Sequence, residues 1–164
     1  MRGRLSLAVL GVLLSFSAVM LGLAGAAKKE GAKKEAASMK FVATDDAPKA
    51  VGPYSQAVVE GGFLFAAGQI PLDPKTGDLV TGGIEPSAER VLDNLEAVLK
   101  AAGLTFADVV KTTVFLTKAE DFAALNAVYA RRMGDHKPAR STVIVAALPK
   151  NAPIEIELIA RTRR

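Results

Sequence analysis

The sequence predicts an α+β domain, one sheet with two helices on a single face. Three observations carry this. Strand-like and helix-like segments alternate through the second half of the chain, an order that lays helices against one sheet. Two segments have clear helical periodicity. The last strand-like segment, "IEIELIA" at 154–160, alternates strictly: Ile154, Ile156 and Leu158 fall on one side, Glu155, Glu157 and Ile159 on the other.

In chain order, the folded part is expected to begin near Met39. "QAVVE" at 56–60 and "FLFAAG" at 63–68 flank Gly61-Gly62, which predicts a hairpin. "LDPKTGD" at 72–78 reads as a turn. The first helix is "EPSAERVLDNLEAVLKAAG". Pro86 suits its first turn and Gly103 its C-terminal cap, and Val91, Leu92, Leu95, Val98, Leu99 and Ala102 make one apolar stripe. "VVKTTVFLT" at 109–117 is a β-branched strand. The second helix, "TKAEDFAALNAVYARRM", opens on a capping box of Thr117 and Glu120. Phe122, Leu125, Val128, Tyr129 and Met133 follow helical spacing, and Gly134 closes it. "STVIVAAL" at 141–148 and the alternating strand complete the domain.

Two helices cover only one face of such a sheet. The other face also carries apolar residues, from Val109, Lys111, Thr113 and Phe115 or the alternate set. A bare, partly apolar sheet face predicts an oligomer interface.

The N-terminus reads differently. Arg2 and Arg4 precede an uncharged apolar run that ends in "AGA" at 24–26. This pattern predicts a secretory signal peptide over 1–26, cleaved after Ala26, and hence an exported protein, periplasmic or secreted. The competing reading is an uncleaved membrane anchor, because Leu5 to Ala27 is long enough to span a bilayer. Residues 27–40, "AKKEGAKKEAASMK", form a charged linker without an apolar face. The domain proper is then 41–164.

Composition narrows the chemistry. The chain has 164 residues, half of them apolar, enough for one domain with a core. There is no cysteine and one histidine, His136, in the polar patch "GDHK". A thiol nucleophile, a disulfide framework and a multi-histidine metal site are excluded, and His136 is expected to be a solvated loop residue. The formal charge of +4 comes from the ends: the leader holds two arginines, and 27–40 holds five lysines against two glutamates. Residues 41–164 are close to neutral, which argues against a nucleic-acid surface.

Arg140, in "PARSTVIV" at 138–145, sits at the mouth of a β-branched strand. Its planar fork suits bidentate capture of a carboxylate. The partner is either a side chain, such as Glu155 or Glu157, or a ligand. Glu155 on periodicity alone is one of two strand glutamates sharing a face. Paired with an arginine, it could position a water or accept its proton.

Several motifs occur in order: "GPYSQAV" at 52–58, "AAGQIPLDPKTGDLV" at 66–80, "NLEAVLKAAG" at 94–103, "VKTTVFLT" at 110–117, "PARSTV" at 138–143 and "LPKNAPIEIELIA" at 148–160. This set resembles the Rid family of reactive-intermediate deaminases, in its RidA or YjgF-like branch, over about residues 45–161. The resemblance implies a chorismate-mutase-like fold: a mixed sheet backed by two helices, assembled as a homotrimer with a central barrel and clefts between subunits. It implies hydrolysis of enamine and imine acids, such as 2-aminoacrylate and 2-iminopropanoate, to 2-keto acids and ammonia, with no metal or cofactor.

By the same resemblance, Arg140 matches the residue that clamps the substrate carboxylate, and Glu155 the one that orders the attacking water. Tyr54 matches a tyrosine lining the cleft. Gly68 matches a position offering backbone contacts to the ligand, Asn126 an asparagine near the pocket, and Thr142 a position, often cysteine, that contacts ligand through its backbone. The alternatives are a turn tyrosine packed on Pro53 for Tyr54, and a polar residue on an apolar helix face for Asn126. Ala67 stands where many members have serine, and Lys137 where an aromatic is common. Two other functions stay in view: a non-catalytic, carboxylate-binding or chaperone-like trimer, and ribonuclease activity, which the near-neutral domain and few aromatics disfavour.

Overall fold

The alternating C-terminal strand lies in the middle of the sheet. The computed structural model describes residues 39–163. The predicted leader and the linker up to residue 38 lie outside the described residues. The strands are β1 (Lys40–Val42), β2 (Ala57–Glu60), β3 (Phe63–Gln69), β4 (Val109–Leu116), β5 (Ala139–Ile144) and β6 (Ile154–Arg161), and the helices are α1 (Ile84–Ala101) and α2 (Phe122–Met133). The sheet order is β1-β2-β3-β6-β4-β5. All neighbours run antiparallel except β4 and β5, which are parallel and joined by α2. The sheet is therefore mixed. A parallel pair needs a crossover, and α2 supplies it. The β2–β3 hairpin turns on Gly61 and Gly62, at φ 60° and 87°, a left-handed pair that glycine adopts without a Cβ penalty.

Both helices pack on one face. Val91, Leu92, Leu95, Val98 and Leu99 of α1 are fully buried, as are Leu125 of α2 and Ile154, Ile156 and Val114 of the sheet. This confirms the α1 stripe and the inward side of β6. Leu95→Ala should cost about 2–5 kcal/mol in a denaturant titration, because it opens a cavity at the helix–sheet contact. On the outer side Arg132 ties the helices together. It donates to Glu89 at 2.8 Å, Asp93 at 2.6 Å and Glu96 at 3.1 Å.

Among the described residues no helix covers the opposite face. Phe41, Val58 and Phe65 lie in register across β1, β2 and β3, and Phe41 and Phe65 are 65% and 46% exposed. Phe115 and Val143 continue this face on β4 and β5.

Four expectations need correction. The Thr117–Glu120 capping box does not form. Thr117 donates its backbone N–H to the Pro153 carbonyl at 3.1 Å, a short 3-10 turn occupies Ala119–Asp121, and α2 begins at Phe122. Tertiary pairing with the loop before β6 outcompetes the local cap. Phe122 is 42% exposed rather than part of the core. β5 spans 139–144 rather than 141–148, so Arg140 lies within the strand. His136 is not a solvated loop residue: its Nε2 is 2.6 Å from the Val109 carbonyl, fastening the α2–β5 loop to β4. Strand β1 was not foreseen, since three residues beside a charged run show no period.

Candidate active site

Glu155 projects from β6 on the helix-free side, one residue off the buried row of Ile154 and Ile156. It lines a cleft of about 340 Å³ together with Tyr54 and Gly68. Gly68 sits where β3 departs from regular pairing with β6, between Ala66 and Gln69. Bulges of this kind re-aim the chain near sites. A Cβ built on Gly68 would lie 2.7 Å from the Glu155 Cδ and closer still to Oε1. Glycine is therefore required for the carboxylate to lie against the β3 backbone. Burial pushes the Glu155 carboxyl above the ordinary carboxylate range, and Glu157 on the same side of the strand adds to the rise. Among the described residues no side chain or backbone group donates a hydrogen bond to Glu155.

Tyr54 reaches this cleft from the β1–β2 loop. Gln56, nearly fully buried, holds the base of that loop. Its amide nitrogen donates to the carbonyls of Thr44 at 3.0 Å, Ala47 at 3.2 Å and Pro48 at 2.8 Å, and its oxygen accepts from the Thr44 N–H at 2.6 Å. Tyr54 folds back over its own turn, where its hydroxyl accepts from the Val51 N–H at 3.4 Å, and it is half exposed.

Arg140, Asn126 and Thr142 form a second group. Arg140 and Thr142 share one side of β5. The Arg140 guanidinium donates to the Asn126 Oδ1 at 2.7 Å. It lies over the Tyr129 ring at 4.7 Å and near the Phe122 ring at 5.8 Å, a cation–π seat. Tyr129 is itself fixed by Thr112, 2.8 Å between hydroxyl oxygens, and burial pushes its phenol upward, so it stays protonated. None of the ion pairs among the described residues involves Arg140. The alternative of a salt bridge to Glu155 or Glu157 is thus set aside.

The two groups do not meet within one chain. Arg140 is in register with Thr112 and Leu158, on the helix side of the sheet, while Glu155 is in register with Phe115 and Val143, on the bare side. β4 also separates the strands that carry them. One group is a fixed cation whose fork suits a carboxylate, and the other a half-buried carboxylate beside a glycine backbone.

Sequence reading missed four contributors. Tyr129 and Phe122 were assigned to an apolar stripe, yet they seat Arg140. Gln56 lies inside a quoted motif but gives no local sign of its loop contacts. Lys150, at φ 57° beside Asn151 at φ 57°, lines the Glu155 cleft. A lysine in left-handed backbone has no sequence signature.

Comparison with known proteins places the sequence and the fold. Residues 44–162 match the family model described as Endoribonuclease L-PSP. A RutC family protein of Pyrococcus horikoshii is 54% identical over 121 residues, covering 74% of this chain and 96% of the relative. The 2-iminobutanoate/2-iminopropanoate deaminase of Escherichia coli is 48% identical over 127 residues, covering 76% and 98%. The crystal structure of a Rid family protein from Yersinia pestis superposes with a TM-score of 0.75 at 48% identity, covering 76% of this chain and all of that one. From the β3 bulge to the last strand, sequence and architecture agree with these relatives, and the chain belongs to the Endoribonuclease L-PSP family of RutC- and Rid-type proteins.

Proposed function

We propose that this protein hydrolyses reactive imine and enamine acids, such as 2-iminopropanoate and 2-aminoacrylate, to 2-keto acids and ammonia. The observation that carries the reading is the Glu155 carboxylate, half-buried against Gly68 with no donor of its own. Kinship with a relative of that activity at 48% identity supports it. Arg140 holds the substrate carboxylate with the part of its fork that Asn126 leaves free. Because Arg140 and Glu155 lie on opposite sides of one sheet, the working site takes Arg140 from one copy and Glu155 from the next. The bare apolar face is the surface on which copies associate, here as a homotrimer.

The chemistry asks for positioning more than strong catalysis, since an imine is already electrophilic. A water beside Glu155 adds to the C=N carbon and passes a proton to the carboxylate. The carbinolamine then takes that proton on nitrogen, the C–N bond breaks as its hydroxyl passes a proton back to the Glu155 carboxylate, ammonia leaves and a C=O remains. An enamine must first take a proton at its terminal carbon. A near-neutral domain gives RNA little to bind.

The test is ammonia and keto-acid release from 2-iminopropanoate above the buffer rate. A rate no greater than buffer sinks the reading. Glu155 must be ionised to take the proton. Its raised pKa therefore means that activity falls on acidification earlier than for an ordinary glutamate. In Glu157→Gln the acid limb of kcat/KM should move to lower pH, since a neighbouring negative charge is gone; an unmoved limb would remove Glu155 as the base. Export is part of the proposal and rests on the leader alone. The N-terminal residue of the mature protein, recovered from the cell envelope or the medium, tests it.

A further inference from the structure

We infer that the cleft beside Glu155 is a side-chain subsite, and that it favours apolar, branched 2-imino acids over the three-carbon substrate. The inference rests on the imine-hydrolase reading and deepens it. With the imine carbon at Glu155, the substrate side chain enters the cleft that Glu155 lines together with Val51, Ala67, Ile70 and Leu72, which holds about 340 Å³ of space. Sites for small molecules begin near this size, roughly 300 Å³, and a methyl group fills little of it.

The wall is pre-formed. Asn94, fully buried on α1, donates to the Leu72 carbonyl at 3.0 Å and to that of Ile70 at 3.4 Å. This fixes the segment that carries two of the apolar side chains. Two lysines stand at the rim, each with a partner of its own. Lys49 pairs with Asp45 at 3.4 Å, and Lys150 donates to the Gly77 carbonyl at 3.1 Å. Where a substrate side chain meets Val51, Ile70 and Leu72, a charge or hydroxyl would leave its polar atoms unpaired, while Tyr54, Gln69 and the lysines lie elsewhere on the lining. Each added methylene instead gains about fourfold in binding.

Two measurements on the full protein test this. Equilibrium binding of stable 2-keto acids needs no turnover. 4-Methyl-2-oxopentanoate should bind about tenfold or more tightly than pyruvate, and 2-oxosuccinate more weakly than either. The kcat/KM for the corresponding imines, generated in situ, should follow the same order, chiefly through KM. Ile70→Thr, which puts a hydroxyl in the wall, should shrink the branched-to-small ratio. Keto-acid selectivity without imine turnover supports the subsite and sinks the hydrolase reading. Turnover of 2-iminopropanoate with no preference for the branched acid overturns the subsite and leaves the hydrolase. Equal or absent binding of all the keto acids, together with no turnover, overturns both.

Discussion

Arg140→Ala is expected to lower kcat/KM for 2-iminopropanoate by about 10²–10³-fold. Two hydrogen bonds from a guanidinium to a carboxylate are together worth about 3–5 kcal/mol in a half-buried setting. The fold should survive, because among the described residues Arg140 makes a single side-chain hydrogen bond, to Asn126. Arg140→Lys should recover little, since an ammonium cannot reproduce the planar fork. A sharper form uses two inactive proteins. Arg140→Ala and Glu155→Gln chains, unfolded and refolded together in equal amounts, should regain about a quarter of wild-type activity. A site drawing one residue from each of two neighbouring copies is intact in one of four random pairings. No recovery would place both residues in one copy, against the register that separates them.

Gly68→Ala should be nearly as damaging, although it adds a single methyl group. The new Cβ would overlap the Glu155 carboxylate, so the carboxylate must swing away from its seat. Loss of a placed general base costs about 10²–10⁴-fold. The structural cost should be small, since Gly68 is not at positive φ. The check is a double-mutant cycle. If Gly68 acts through Glu155, then Gly68→Ala in the Glu155→Gln background changes the rate little further. Additive losses would mean that Gly68 serves the substrate directly and that its crowding of Glu155 is incidental. Thermal melts of all four proteins separate either result from unfolding.

Much of the fold was legible because long periodic segments report burial directly. Val91, Leu92, Leu95, Val98 and Leu99 repeat at helical spacing, and all five are buried. Strand β6 alternates, and its alternate residues are buried. The failures share a cause. At Thr117 the local capping signal was sound, but a backbone hydrogen bond from the β6 side took the same N–H. His136 looked solvated because its partner, the Val109 carbonyl, is 27 residues away. The short β1 had too few residues to show a period.

The sequence by itself determined the long elements, most of their inward faces and the identity of the chemical groups. Arg140, Glu155, Tyr54, Gly68, Asn126 and Thr142 were all named before any contact was known. Only the tertiary structure decided how they are grouped. It put Glu155, Gly68 and Tyr54 in one cleft and set Arg140, hydrogen-bonded to Asn126, with Thr142 on the other side of the sheet. The physical reason is that side-chain direction along a strand has period two, while which strands become neighbours is set by packing across the whole chain. Residue identity is local; register and strand order are not.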